Sequence, residues 1–221
     1  MNNLNFDFFG LESPFIRFET CEIEKNCEIE NWQYPDSINI FKQFILETRP
    51  NIIIELGSYL GWSSITMANI CKENNIQCKI LCVDTWLGSV EHWRKDQCNS
   101  LYKYDFFKNG ISKMFDSFCK NVISHDVQNY ILPLPNTTDT IYKLLSYYNI
   151  KADLIYVDAS HEYDSVLKDL TSYYNILNYN GYIFGDDVCW PDVEKATIQF
   201  SKNIGKTLQY SQNKNLYYVR K

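Results

Sequence analysis

The chain has 221 residues, 45% of them apolar and 22% charged, a composition typical of a globular protein rather than a disordered one. Its net charge of −6, with no dense run of lysine or arginine, disfavours nucleic acid and other polyanionic partners. No apolar run approaches the roughly 20 residues that span a bilayer, and the N-terminus has no cleavable signal pattern. We therefore expect a cytoplasmic protein without a membrane partner.

Eight cysteines are present, and none of them forms a C-x-x-C pair. A zinc ribbon is therefore not indicated. Without a signal pattern, we predict reduced thiols that are mostly small buried side chains.

The first 48 residues differ from the rest, because they are rich in acidic and aromatic residues and contain no strong strand pattern. We predict a helical or irregular extension over residues 1–48, with a helix over 37–48 that stops before Pro50. This extension would cover the acceptor or form a dimer contact. The remaining residues, 49–221, are predicted to form one domain.

From residue 51 onward, short apolar runs alternate with helical patterns. Strands are predicted over 51–56, 78–83, 130–134, 152–157 and 182–185, and a closing hairpin over 207–211 and 216–220. Helices are predicted over 62–74, 111–121, 139–148, 163–178 and 192–203, with Gly181 as the C-terminal stop of the fourth. This order predicts an α/β, Rossmann-like fold: a seven-stranded, mostly parallel sheet with helices on both faces and an antiparallel C-terminal hairpin.

A long irregular stretch over residues 86–110 interrupts this alternation. It contains Trp86, His92 and Trp93. These side chains would either line an acceptor pocket or pack beneath a long loop, and the pattern does not decide between the two.

Acidic residues stand at the carboxyl ends of four predicted strands: Glu55, Asp84, Asp158 and Asp186. Parallel sheets bind ligands at this edge, where the strand order reverses. Burying a carboxylate is costly unless it is used. The four strand ends are therefore the candidate functional site.

The first strand leads into Glu55-Leu-Gly57-Ser58-Tyr-Leu-Gly61 and then a helix. Glycines at positions 57 and 61 allow a sharp turn and close approach of a ligand. The spacing is E-x-G-x-x-x-G and not the G-x-G-x-x-G of dinucleotide-binding proteins. Two glycines that only punctuate a turn are the alternative.

Two further segments follow strands. Asp84, with Thr85 and Trp86 after it, suits a pair of ribose hydroxyls, because one carboxylate can accept both hydrogen bonds; a turn or helix-cap acid is the alternative. Asn136 and Thr137 follow the third strand, where a simple helix cap at Asn136 or Thr138 is an equal alternative.

Asp158 and His161 follow one strand, and the pair Asp186-Asp187 follows the next. Clustered carboxylates without cysteine suit a hard cation such as Mg²⁺ or Ca²⁺. Adjacent strand residues point to opposite faces, so both aspartates reach one ion only if the strand has ended by Asp187. The alternatives are a solvated turn for the aspartates and a cap or core role for the histidine.

Together these motifs resemble class I S-adenosylmethionine-dependent methyltransferases, and Val-Asp158-Ala-Ser-His161-Glu-Tyr is most similar to the family called methyltransferase domain 24. The resemblance covers residues 51–188 and extends to Mg²⁺-dependent sugar O-methyltransferases. It implies Asp158, Asp186 and Asp187 as metal ligands, with His161 and Asp158 as catalytic residues. It implies S-adenosylmethionine contacts from Glu55, Gly57, Ser58, Gly61, Asp84, Thr85, Trp86, Asn136, Thr137 and Asp158.

The predicted function is O-methyl transfer from S-adenosylmethionine to a small hydroxylated acceptor, a sugar by resemblance, with a divalent metal. A homodimer is compatible with this interpretation. The alternatives are an NAD- or nucleotide-binding oxidoreductase, against which the missing G-x-G-x-x-G speaks, and a non-catalytic member that keeps the fold. The absence of an Asn-Pro-Pro-Tyr type motif after the fourth strand further weakens a nucleic-acid substrate.

Overall fold

The computed structural model of the protein describes residues 5–18, 35–93 and 107–221. The strands in chain order, β1 to β9, are Ile52–Leu56, Lys79–Asp84, Phe107–Lys108, Ile111–Ser112, Ile131–Pro135, Ala152–Val157, Leu177–Gly185, Gln209–Tyr210 and Tyr217–Arg220. The helices, α1 to α7, are Pro35–Thr48, Trp62–Glu73, Val90–Trp93, Met114–Ser124, Thr138–Tyr147, Tyr163–Asn175 and Pro191–Ile204. Two short 3₁₀ helices, Asp7–Phe9 and Pro14–Phe18, precede them.

Seven strands form one sheet in the order β5-β2-β1-β6-β7-β9-β8. The first five are parallel, whereas β9 runs antiparallel to both β7 and β8. The chain builds outward from β1 to β5 and then returns to place β6 on the other side of β1. The strand order therefore reverses between β1 and β6, and the predicted fold, with its antiparallel C-terminal strand pair, is confirmed.

Helices cover both faces of the sheet, which explains the uninterrupted apolar character of β1. Every residue of β1 is buried, as expected for a parallel strand with two covered faces. One core contains side chains of α1, α2 and α4, and the other contains side chains of α5, α6 and α7. In β1, Ile53 belongs to the first core and Ile54 to the second, following the alternation of a strand.

Helix α1, the last part of the predicted extension, packs directly on the sheet. Phe41, Phe44 and Ile45 are fully buried, and the Phe44 ring stacks on Tyr182 of β7 at 4.0 Å between centroids. The Tyr182 hydroxyl also donates to the Glu47 carboxylate at 3.1 Å. Residues 19–34 lie outside the described part of the chain.

Two local predictions were wrong. Helix α6 ends at Asn175 and Gly181 lies within β7, where a Cβ atom would stand 2.4 Å from the Asp153 carbonyl oxygen. The glycine thus permits close strand approach and does not stop the helix. Helix α4 begins at Met114 rather than near 111, because β3 and β4 form a small antiparallel hairpin just before it.

Five cysteines belong to the described residues, and all five are free thiols: Cys71, Cys78, Cys82, Cys119 and Cys189. The first four are buried, and burial raises the pKa of the Cys119 thiol to about 12. These four behave as small apolar core residues. Across residues 5–18, 35–93 and 107–221, no helix is long and apolar enough to cross a bilayer.

Candidate active site

A cavity of about 900 Å³ opens at the carboxyl edge of the sheet. The ends of β1, β2, β5, β6 and β7 all contribute to its wall. Neighbouring strands lie about 4.8 Å apart, so the four intervals from β5 to β7 span about 19 Å. Residues lining the cavity include Gly57, Ser58, Asp84, Thr85, Asn136, Thr137, Asp158, His161, Asp186 and Asp187.

The loop after β1 requires glycine at its first turn. Gly57 has φ +84°, and a Cβ atom there would lie 2.1 Å from the backbone oxygen of Asp158. Its N–H donates to the Val83 carbonyl at 2.8 Å, so the loop is tied to both neighbouring strand ends. Gly61, at φ +92°, is the N-cap of α2 and does not line the cavity.

Glu55 lies beneath this loop and not on the cavity wall. It is fully buried, and it accepts hydrogen bonds from the hydroxyls of Ser58, Ser63 and Ser64. Burial raises the pKa of Glu55, while the hydroxyl hydrogen bonds act in the opposite direction. Glu55, which the motif predicts as a cofactor contact, therefore supports the loop from below. Its partners Ser58 and Ser63 are the residues that line the cavity.

Asp84 holds the same loop from its other side. One carboxylate oxygen accepts from the backbone N–H groups of Ser58 at 3.0 Å and Tyr59 at 2.8 Å. The other oxygen accepts from the Trp86 N–H at 2.7 Å. The second oxygen keeps a further lone pair, and the residue faces the cavity together with Thr85.

The tryptophans of the stretch after β2 are packing residues. Trp86 is buried, its indole N–H donates to the Tyr59 carbonyl at 2.8 Å, and its ring contacts Phe115 and Phe118. Trp93 is largely exposed and its ring packs on that of Phe107. Neither lines the cavity. Trp86 packs beneath the loop, whereas Trp93 stays largely exposed. The His92 side chain and residues 94–106 lie outside the described part.

Asn136 and Thr137 sit at the β5 end of the cavity. Thr137 is the N-cap of α5, because its hydroxyl accepts from the Thr140 N–H at 3.2 Å. The Asn136 carboxamide oxygen accepts from the Thr137 N–H at 2.9 Å. The alternative cap positions, Asn136 and Thr138, were therefore wrong by one residue.

At the other end of the cavity, Asp158, His161 and Asp187 place their ligand atoms within 4.8 Å of one another. The strand has ended at Gly185, and Asp187 adopts φ +58°, which turns it toward the end of β6. The histidine Nε2 lies 2.9 Å from an Asp187 oxygen. Its ring stacks on Trp190 at 4.7 Å with 10° between the planes, which fixes the imidazole orientation.

The carboxylates of this cluster repel one another in a half-buried setting. Burial, followed by the charges of Asp186 and Asp187, raises the pKa of Asp158 well above its usual range. Burial and the Asp187 charge raise the pKa of Asp186 to about 6. Within the described residues, Asp186 Oδ1 is buried without a hydrogen-bond partner. The donor set fits a divalent cation, which would relieve this repulsion and satisfy the buried oxygen.

Asp186 is not part of the compact group of three, although it lines the same cavity. His161 is not the helix cap either, because the N-cap of α6 is Glu162. The structure thus removes the cap alternative for His161, which lines the cavity.

Several cavity-lining residues were not predicted: Ser37, Tyr156, Ser165, Lys168, Asp169 and Trp190. Ser165, Lys168 and Asp169 follow the i, i+3, i+4 spacing of one helix face, a signal present in the sequence. Ser37 comes from α1, so the first 48 residues contribute to the cavity wall.

A family model and several solved structures agree with this architecture. A family model described as a methyltransferase domain, Methyltransf_24, matches residues 54–188, which is more than half of the chain. No curated protein sequence matches significantly. Among solved structures, the O-methyltransferase NovP has a TM-score of 0.62 at 15% identity and covers 84% of this chain and 79% of its own.

Two further solved structures share the fold. An O-methyltransferase from Bacillus cereus in complex with SAH has a TM-score of 0.59 at 11% identity, covering 86% of this chain and 82% of its own. A TDP-rhamnose 3'-O-methyltransferase of calicheamicin biosynthesis has a TM-score of 0.56 at 18% identity, covering 83% and 77%. With the family-model match, the glycine loop and the acidic strand ends, the chain belongs to the methyltransferase domain family of class I S-adenosylmethionine-dependent methyltransferases.

Proposed function

We propose that this enzyme transfers a methyl group from S-adenosylmethionine to a hydroxyl of a small acceptor, with a divalent cation in the acidic cluster. The observation that carries the proposal is that Asp158, His161 and Asp187 converge in the same cavity as the glycine loop. A cofactor held by the loop would therefore end beside a group that can accept a proton. Structural neighbours named as O-methyltransferases, including TomG in complex with SAM, support the same chemistry.

The cavity wall offers a position for each part of the cofactor. A ribose hydroxyl would donate to the second carboxylate oxygen of Asp84, which faces the cavity beside Thr85. The methionine part would lie along the loop at Gly57 and Ser58. The adenine would then extend toward Asn136 and Thr137 at the β5 end, and the sulfonium toward β6.

Asp158, Asp186 and Asp187 would hold the cation, since their oxygens are the hard donors that Mg²⁺ or Ca²⁺ prefers. When bound, such an ion acts as a Lewis acid that lowers the pKa of a coordinated hydroxyl. Burial is the first cause of the raised pKa values of Asp158 and Asp186, and the negative charges of the neighbouring carboxylates are the second. A bound cation would offset the second cause.

His161 would take the proton of the acceptor hydroxyl. Its hydrogen bond to Asp187 and its stack on Trp190 hold the imidazole in one orientation, so little reorganisation is needed when the proton arrives. The acceptor oxygen forms the new O–C bond as the S–C bond breaks, and S-adenosylhomocysteine leaves. General-base catalysis of this kind contributes about 10²- to 10⁴-fold.

A sugar, or another acceptor with neighbouring hydroxyls, is the proposed substrate class. A cation site that can bind two adjacent acceptor oxygens suits a vicinal diol. The neighbour that is a TDP-rhamnose 3'-O-methyltransferase supports a sugar. Ser37 on the cavity wall supports a role for residues 1–48 in covering the acceptor.

The cofactor assignment is tested by isothermal titration of S-adenosylhomocysteine into the wild type, Asp84→Ala and the exposed control Asp192→Ala. We expect micromolar binding to the wild type and the control. Because Asp84→Ala removes a hydrogen-bonded charge, it should weaken the binding of S-adenosylhomocysteine by roughly 10- to 100-fold. If the wild type binds NAD instead, the oxidoreductase alternative replaces the proposal, and no binding of either favours a non-catalytic member.

The catalytic assignment is tested by methyl transfer from labelled S-adenosylmethionine to a panel of sugars and catechols, with Mg²⁺ or a chelator. His161→Gln should lose turnover by about 10²-fold or more with unchanged S-adenosylhomocysteine affinity. Equal turnover in this variant would remove His161 from the mechanism.

A further inference from the structure

Tyr156 lies beneath the acidic cluster and takes no part in the proposed transfer step. It belongs to β6, only 2% of its surface is exposed, and it lines the cavity. Its ring packs edge-on against Phe41 of α1 and at a tilt against Phe184 of β7, in both cases at 5.2 Å between centroids. This packing uses the ring alone. A buried phenol hydroxyl also needs a hydrogen-bond partner, so its position requires a separate explanation.

The sheet register brings this hydroxyl to two of the carboxylates. Tyr156 and Phe184 are paired across β6 and β7. Asp158 and Asp186 follow them by two residues each, so strand alternation predicts the same face of the sheet for these carboxylates. The Tyr156 hydroxyl donates to Asp158 Oδ2 at 3.4 Å. Burial and the Asp187 charge raise the pKa of Asp186 to about 6, whereas a hydrogen bond from the same hydroxyl acts in the opposite direction.

A donor of this kind fixes the rotation of a carboxylate. The last torsion of an aspartate side chain has a broad energy profile, so the carboxylate turns easily when nothing holds it. Among the described residues, no second donor to the Asp158 carboxylate is found. The phenol therefore sets the orientation of this side chain and leaves its remaining lone pairs for other partners. Removing a group that holds a metal ligand in this way weakens metal binding by about 10- to 100-fold.

Resting on the proposed function, we infer that Tyr156 is a positioning residue of the cation site, whose hydroxyl fixes the Asp158 carboxylate in the orientation that a divalent cation requires. Mg²⁺ demands near-ideal octahedral geometry, whereas Ca²⁺ tolerates displaced ligands. Loss of the hydroxyl should therefore weaken the binding of Mg²⁺ more than that of Ca²⁺. A hydroxyl that only stabilises the fold would not distinguish the two ions.

The test is isothermal titration of Mg²⁺ and of Ca²⁺, each alone, into the metal-free wild type, Tyr156→Phe and the control Tyr173→Phe. Tyr173 is a matched control, because it is also buried and its hydroxyl donates to the Thr138 carbonyl at 2.8 Å, outside the acidic cluster. In Tyr156→Phe, the dissociation constant of Mg²⁺ should rise by about 10- to 100-fold and that of Ca²⁺ by about threefold or less. Tyr173→Phe should keep both wild-type constants.

Tyr156→Phe keeps the ring that Phe41 and Phe184 contact, so the variant should fold, and urea unfolding without metal checks this for both variants. Unchanged Mg²⁺ affinity in Tyr156→Phe would overturn the inference. An equal loss for the two ions would overturn it as well, since the hydroxyl would then only support the end of β6. If the wild type binds neither ion, the cation of the proposed function fails and the inference fails with it, whereas binding of S-adenosylhomocysteine would still support the cofactor site.

Discussion

Replacing Gly57 with alanine should destabilise the protein far more than the same change at a glycine with free space around it. At φ +84° an alanine carries the left-handed penalty of about 1–2 kcal/mol. Its Cβ would also lie 2.1 Å from the Asp158 carbonyl oxygen, a backbone atom that no rotamer change can move. Displacing that strand end adds about 1–3 kcal/mol, as for overpacked cores. The total loss in unfolding free energy is about 2–5 kcal/mol.

Gly205→Ala is the matched control. Gly205 also has positive φ, at +65°, but no atom lies within 4 Å of the position of its Cβ. This variant should lose only the conformational penalty of about 1–2 kcal/mol. The difference between the two variants therefore isolates the collision with Asp158.

Urea unfolding followed by far-ultraviolet circular dichroism gives both free energies. The native Gly57→Ala protein should also bind S-adenosylhomocysteine more weakly, because the loop and the end of β6 move apart. Equal destabilisation by the two substitutions would refute the reasoning, since it would mean that the loop does not approach β6 as closely as the structure places it.

Three further predictions concern the metal ligands, the buried Asp169 and the contact of α1 with the sheet. In a thermal melt, Mg²⁺ at about 100 times its dissociation constant should stabilise the wild type and the control Asp192→Asn by about 2.7 kcal/mol. The same Mg²⁺ concentration should leave the stability of Asp187→Asn unchanged. A full stabilisation of Asp187→Asn would exclude Asp187 as a metal ligand. Because burial raises the pKa of Asp169 from 3.8 to about 6, wild-type stability relative to Asp169→Asn should fall by about 2 kcal/mol as pH rises from 4 to 6. A flat difference in urea unfolding would contradict this. Glu47→Gln should cost under about 1 kcal/mol, since its partners Tyr182 and Arg220 meet it at a half-exposed site; a larger loss by the same assay would show a stronger anchor for α1.

Much of the site was predictable because the chain carries it in short local patterns. The residues that follow each parallel strand reach the same edge of the sheet, so the amino-acid sequence alone is enough to group Asp84, Asp158 and Asp186. The Gly57 turn was predictable for the same reason, since the strand, turn and helix are consecutive. The family match over residues 54–188 falls on this part of the chain.

The roles of other residues could not be predicted from their neighbours in the chain. Glu55 fits the motif of a cofactor contact, yet serines from the turn and from α2 enclose it below the loop. Trp86 follows an acidic strand end, yet aromatic side chains of α4 bury it. Both outcomes depend on helices that pack over the loop, and no spacing within the motif encodes that packing.

The amino-acid sequence predicted the alternation of strands and helices, the edge of the sheet that carries the candidate site, and the acidic residues at that edge. Each of these is a property of consecutive residues and their periodicity. The tertiary structure was needed to show that Asp158, His161 and Asp187 place their ligand atoms within 4.8 Å of one another, because the backbone turns at positive φ after β7 ends. It also brought Asp169 of α6 to the cavity beside β5. Residues distant in the chain become neighbours through the order of the strands and the packing of helices on them, and that order arises from burying two apolar faces of one sheet.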